Sequence, residues 1–353
     1  MKRTYKQTAL GIAALASGAL ACMAAPEGKA DMSKPVQVYI LMGQSNMVGM
    51  GHIKGDKPGT LEKAVKEEKK YPYLVDKDGN WAVWNDVRYV FMMAGGRGGP
   101  QKNNDWMTVA KCRTIGPEFG IAHELRQSTD APILILKSCI GNRSLGWDLL
   151  PPGSKGYEFT EKDKKTGKDV TYTYAGYKQS PLKWAKGTEP KPIGWYAGKQ
   201  WDDDVANAKM VLSNLDKYCP GAKKYNIAGF FFWQGDKDRY DAGHASHYEQ
   251  NMVNFINAAR KEFNAPKADF VLATLGQDDK ADAKGNDKLI LDAQLAVDGD
   301  SGKHPEFKGN VSTVYSHPLS KGGASNGHYN GNAETYMDIG EAMGKAMVNL
   351  EKK

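Results

Sequence analysis

At 353 residues the chain can hold one large domain or two small ones, and it is long enough to bury a sizeable core. Its 48 lysines and arginines against 41 acidic residues leave a formal net charge of +7, but the lysines are scattered or sit in mixed runs such as Glu161-Lys162-Asp163-Lys164-Lys165. No basic stripe is interleaved with aromatics, which argues against a nucleic-acid partner, and there is neither a low-complexity tract nor an internal repeat.

The N-terminus comes first. Lys2 and Arg3 precede an apolar stretch over residues 9–21, followed by small residues and Pro26. A charged start, an apolar middle and a small-residue end make residues 1–25 an expected export signal, cut after Ala21 or Ala25. The stretch is too short to span a membrane comfortably, so no transmembrane segment is expected. A secreted or periplasmic location follows. Cys22 directly after Ala21 raises a lipid anchor as the alternative, although Ala19 stands where such a signal prefers leucine. Cys112, Cys139 and Cys219 have the spacing of neither a disulfide framework nor a metal site, and one bridge is the most they allow.

Beyond the signal, a single domain is expected over residues 31–353. Strand-like apolar runs fall at 36–42, 132–138, 227–233, 270–275 and 311–315. Helix-like segments fall at 116–127, 203–218, 247–263 and 333–350. The second of these helices opens on Asp202-Asp203-Asp204, side chains suited to capping free N–H groups. Short buried strands alternating with amphipathic helices predict an α/β fold, an open parallel sheet covered on both faces. The cleft of such a sheet lies beyond the carboxyl ends of its strands. Residues 51–110 and 150–201 depart from this rhythm and read as insertions that wall the cleft. The first contains Gly95-Gly96-Arg97-Gly98-Gly99, which lacks the Gly-Lys-Ser/Thr ending of a phosphate-binding loop. The second carries Tyr157, Tyr172, Tyr174, Tyr177, Trp184, Trp195 and Trp201, which either stack on sugar rings or form a small satellite core.

The residues able to carry chemistry stand just after the strands. Ser45, in Gly43-Gln44-Ser45-Asn46-Met47, follows the first strand, where a turn presents a hydroxyl beside backbone N–H groups. A serine nucleophile needs a base, and His328, in a glycine-containing loop before the last helix, is the candidate, with His317 in reserve. His244 and His247 with nearby Asp241 form a His-x-x-His pair without a third ligand at familiar spacing, so no metal is expected. After the strand at 227–233 come Gln234, Gly235 and Asp236; the amide of Gln234 is suited to an oxyanion and Asp236 to orienting a histidine. Gly141 follows the strand at 132–138 and allows close backbone approach, which makes its N–H a second oxyanion donor. The α/β-hydrolase elbow is excluded because Met47 stands where Gly-x-Ser-x-Gly needs glycine.

Gly43-Gln44-Ser45-Asn46-Met47, Gly141 with Asn142, Trp233-Gln234-Gly235-Asp236 and His328 occur in the order seen in SGNH-type hydrolases. More narrowly, the chain resembles the sialate O-acetylesterase-like branch, carbohydrate esterase family 6, over most of residues 35–350. The resemblance implies a flavodoxin-like three-layer α/β/α sandwich and cofactor-free removal of acetyl groups from carbohydrate. It makes Ser45 the nucleophile and His328 the base, with N–H groups of Ser45 and Gly141 and an amide of Asn142 or Gln234 as the oxyanion hole. Gln44 and Asn142 would contact substrate. Two positions depart from the family pattern: Ser325 stands where many relatives have an aspartate three residues before the histidine, and Asp236 stands where relatives tend to have glutamate. Either Asp236 is the acid partner of His328, or the site is a Ser-His dyad, or the scaffold binds glycan without turning it over.

Overall fold

Along the first strand, Val36, Val38, Ile40 and Met42 point into one core while Tyr39 and Leu41 point into another. A strand apolar on both faces needs a layer of helices on each side. The computed structural model describes residues 30–94, 100–163 and 166–353. The expected export signal, Cys22 and the glycine loop at 95–99 lie outside them.

In chain order the strands are β1 (Val36–Gly43), β2 (Gly51–His52), β3 (Trp84–Met92), β4 (Gln101–Met107), β5 (Thr114–Ile115), β6 (Ile133–Ser138), β7 (Tyr157–Lys162), β8 (Asp169–Tyr174), β9 (Lys183–Ala185), β10 (Tyr225–Trp233), β11 (Asp269–Ala273) and β12 (Val311–Val314). The α-helices are α1 (Ser45–Val48), α2 (Glu118–Leu125), α3 (Lys199–Ser213), α4 (Leu215–Tyr218), α5 (Ala242–Ser246), α6 (Tyr248–Glu262), α7 (Gly285–Ala296) and α8 (Ala333–Glu351). The central sheet runs β12-β11-β10-β1-β6-β3-β4, parallel throughout except for β4 at the edge. Helices α3, α6 and α7 cover one face and α2 and α8 the other, giving three α/β/α layers. Among the described residues no helix is long and apolar enough to cross a membrane.

Two expectations need correction. Residues 51–110 do not merely wall the cleft: β3 and β4 are strands of the central sheet, with Val87, Tyr89 and Phe91 buried in its core. Polar residues obscure both strands, because Asn85, Asp86 and Arg88 interrupt β3 and because β4, Gln101 to Met107, is a solvent-facing edge. The helix expected from Asp203 begins at Lys199, and the aspartates do not cap it. Asp202 instead accepts from the hydroxyls of Tyr177 (2.6 Å) and Tyr196 (2.7 Å), while Asp204 is buried against Gln200. Of the one bridge the sequence allows, none forms among the described residues, where Cys112, Cys139 and Cys219 are free thiols.

Residues 150–201 carry a separate three-stranded antiparallel sheet, β7-β8-β9. Most of its aromatics serve packing. Tyr174 is buried, Trp201 joins the main core, and Trp184 and Trp195 pack on a satellite cluster of Trp147, Leu150, Ala175 and Ala197.

Candidate active site

The site is assembled where β1, β6 and β10 end side by side, at the carboxyl edge of the sheet. Strand β1 finishes on Gly43 with φ +142°, opposite Trp233 of β10. A β-carbon there would lie 2.3 Å from the Trp233 carbonyl oxygen, so only glycine lets the two strands close up at this point. The chain then turns at once into α1. Ser45 is its first residue, and Gly49 ends it by donating its N–H to the Ser45 carbonyl at 3.0 Å. Gly49 is also required, because a β-carbon on it would meet the Gly116 nitrogen at 2.2 Å.

Gly141 lies against the serine. A β-carbon on Gly141 would sit 3.5 Å from Ser45 Cβ, so the backbone after β6 borders the hydroxyl-bearing residue. Asn142 follows in the left-handed region (φ 57°) and is exposed, free to meet a ligand.

His328 reaches the same place through its neighbour. Residues 328–330 form a left-handed run (φ 51–53°) whose central member, Tyr329, is fully buried and stacks on Trp233 with ring centroids 6.0 Å apart. The Tyr329 hydroxyl donates to the Leu275 carbonyl and accepts from Asn46 Nδ2 at 3.2 Å. One hydrogen bond thus joins the residue after Ser45 to the residue after His328, across 283 positions of sequence. The half-buried His328 ring makes no hydrogen bond among the described residues. His52, from β2, packs against the same loop: a β-carbon on Gly331 would lie 2.4 Å from its ring.

The expected acid does not meet the base. Asp236 Oδ1 accepts from Arg239 Nε at 2.8 Å, and Arg239 in turn bonds Asp287 at 3.2 Å. Ser325, at the other position where an acid was considered, is buried and donates to Gln277 Oε1 at 2.7 Å. The reserve base, His317, is tied by Nδ1 to the Gly276 carbonyl at 3.0 Å.

Gln234 and Gln44 also differ from expectation. Both are buried. Gln234 Nε2 is engaged by Asp238 Oδ2 (2.5 Å), the Arg143 carbonyl (2.8 Å) and Gln44 Oε1 (3.1 Å), and its Oε1 accepts from the Tyr248 hydroxyl at 2.8 Å. With its two N–H groups already engaged, this amide is a strut beneath the cleft and not an oxyanion donor. Gln44 Oε1 also accepts from the Lys237 N–H at 3.2 Å, so the residue expected to contact substrate is buried with its oxygen committed to the protein. The remaining oxyanion candidates are backbone N–H groups of Ser45 and Gly141 and the side chain of Asn142.

Sequence reasoning passed over Asp238, the hub of this network. It is fully buried, accepting from the N–H groups of Leu145 and Gly146, each at 2.8 Å, and from Gln234. Burial pushes its carboxyl up to about 7, against the pull of those three donors. Through it, the end of β10 holds the loop that carries Gly141. The His-x-x-His pair is likewise structural. His244 packs under Gly146 and against Tyr174, burial taking its pKa down to about 4, while His247 stacks on Tyr157. Asp241 caps α5 and pairs with Lys183 at 2.8 Å. No group of three metal-binding side chains forms among the described residues.

Comparison with solved structures finds several similar chains. A structure from Arabidopsis thaliana is similar at 15% identity, covering 89% of this chain and 98% of the other, with a TM-score of 0.49. A carbohydrate acetylesterase from Xanthomonas citri is similar at 14% identity, covering 88% of this chain and 55% of the other, with a TM-score of 0.50. NanS is similar at 16% identity, covering 80% and 78%, with a TM-score of 0.41. No curated protein matches in sequence. The model of the carbohydrate esterase family described as sialic acid-specific acetylesterase matches residues 35–176 and 180–349. With nearly the whole described chain inside that match, the protein belongs to the sialic acid-specific acetylesterase family of carbohydrate esterases.

Proposed function

We propose that this protein is an exported serine esterase that removes O-acetyl groups from carbohydrate, acetylated sialic acids foremost, by a Ser-His mechanism. The observation that carries the reading is the 3.2 Å bond between Asn46 and Tyr329, which ties the turn bearing Ser45 to the loop bearing His328. We place the chain in the sialate O-acetylesterase-like branch, carbohydrate esterase family 6, on its Gly-Gln-Ser-Asn-Met block, and outside the cytoplasm on residues 1–25.

In the first step the Ser45 hydroxyl oxygen attacks the acetyl carbonyl carbon while His328 takes the hydroxyl proton. The negative oxygen that forms is met by N–H groups of Ser45 and Gly141, fixed in place before reaction and so costing little reorganisation. Collapse breaks the bond to the sugar oxygen, which leaves with the proton held by His328. Water then attacks the acetyl-serine, giving its proton to His328, and acetate departs as Ser45 recovers its hydrogen. Because Asp236 is held by Arg239 and Ser325 cannot carry charge, the pair works as a dyad.

That same arrangement favours a second reading, a glycan-binding protein on an inert scaffold, since the histidine lacks an acid partner. Acetate release from 4-nitrophenyl acetate, followed for wild type and Ser45→Ala, separates the two. Turnover lost in the folded variant supports the esterase. Equal, near-background rates support the binding protein.

A further inference from the structure

A lysine buried to zero exposure sits beneath the short helix that carries Ser45. Lys137 of β6 donates from Nζ to Glu118 Oε2 at 2.9 Å and to the Val48 carbonyl at 2.9 Å. Its ammonium lies 4.6 Å from the ring centroid of Phe91 and 5.4 Å from that of Tyr89. Glu118 is equally buried, and its second oxygen accepts from the Gly116 N–H at 3.0 Å and from the Tyr89 hydroxyl at 3.4 Å.

Stability alone explains this pair poorly. Taking two charges out of water costs several kcal/mol per ion, and well-packed apolar replacements of such pairs are often neutral or stabilising. What the pair does is geometric. Val48 is the last residue of α1, so its carbonyl is one of those left without a partner inside the helix. Lys137 supplies that partner from the neighbouring strand. Glu118 fixes Gly116, the backbone against which Gly49 closes. Four residues beyond Lys137 the same strand delivers Gly141 to the other end of α1, beside Ser45. One segment of chain therefore grips the helix at its carboxyl end and faces the serine at its amino end.

We propose that Lys137, with Glu118 as counter-ion, is a positioning residue that sets the spacing between the backbone N–H groups of Ser45 and Gly141. The proposal rests on Ser45 being the nucleophile. Misplacement of reacting groups by about 1 Å costs on the order of 10²-fold in rate. The decisive variant is the double substitution Lys137→Met with Glu118→Leu, which removes both charges together and leaves no lone buried ion. Lys137→Met alone serves as the case in which Glu118 is stranded.

On 4-nitrophenyl acetate the folded double variant is expected to lose kcat about 10²-fold with KM little changed, and to melt below wild type because the Val48 carbonyl and the Gly116 N–H lose their partners. A purely structural role would lower the melting point and leave kcat of the folded variant unchanged. Wild-type kcat in the folded double variant overturns the proposal. Should wild type itself prove inactive, like Ser45→Ala, the esterase reading fails separately. Crystal structures of wild type and the double variant then decide, an unmoved α1 relative to Gly141 overturning the positioning role and a displaced one upholding it.

Discussion

Asp238→Asn tests whether the buried network under the cleft governs chemistry as well as folding. In the native site both carboxylate oxygens accept: Oδ1 from Gly146 N–H, Oδ2 from Leu145 N–H and Gln234 Nε2. Asparagine has one acceptor. Keeping its oxygen on Leu145 and Gln234 turns the new NH2 toward the Gly146 N–H, donor against donor in a site with no access to water. The charge-assisted bond lost is worth about 1.5–3 kcal/mol and the stranded donor adds about 1–3, with partial relaxation bringing the total to about 2–4 kcal/mol. For a chain of this size, that corresponds to a melting-point drop of about 3–5 °C. Relief of the clash must come from the Leu145–Gly146 backbone, and that movement is passed to Gly141 and the oxyanion site. A fall in kcat of about 10–100-fold is expected. Measurement at pH 8, above the value near 7 to which burial pushes Asp238, compares asparagine with the carboxylate. The assay pairs thermal melts with steady-state hydrolysis of 4-nitrophenyl acetate. A lower melting point with unchanged kcat would refute the reasoning, because the network would then hold the fold without holding the loop.

Two further substitutions test the remaining links. Asp236→Asn is expected to keep kcat within about 10-fold of wild type, since its oxygen serves Arg239; loss of an acid partner would cost about 10⁴-fold, and a drop of that size restores Asp236 as the third catalytic member. Tyr329→Phe removes the bridge from Asn46 and strips the Leu275 carbonyl of its donor, for about 1–2 kcal/mol of stability and about 10-fold in kcat. Intact turnover in a destabilised Tyr329→Phe protein would separate the alignment of His328 from that tether.

Much of the frame is legible locally. Strands β1, β6, β10 and β11 carry apolar residues on both faces, so their runs are continuous in sequence and stand out without any knowledge of neighbours. Strand β4 is the counter-case: an edge strand buries little, and Gln101, Lys102, Asn103 and Asn104 look like loop until pairing with β3 is seen. The start of α3 was misplaced for a related reason, since Asp202 and Asp204 carry the residue type of a cap but find tertiary partners in Tyr177, Tyr196 and Gln200.

For the site, the chain itself determined the candidate groups: a serine in Gly-Gln-Ser-Asn-Met at a strand end, a glycine after β6 and a histidine before the last helix. These depend on residue type and short-range turn geometry, which sequence carries. Which polar side chain faces the cleft and which faces the core was decided only by the tertiary structure. Asp236 and Asp238 stand two residues apart in one turn, yet one pairs with Arg239 at the rim while the other is sealed beneath it. Gln44 and Gln234 flank the candidate site and bond each other, Gln234 being further engaged by Arg143 and Asp238. For Asp238, Gln44 and Gln234, hydrogen-bond partners 91 to 190 residues away settle such questions, because a buried polar group takes the conformation that satisfies it, and its partner is known only once the strands are side by side.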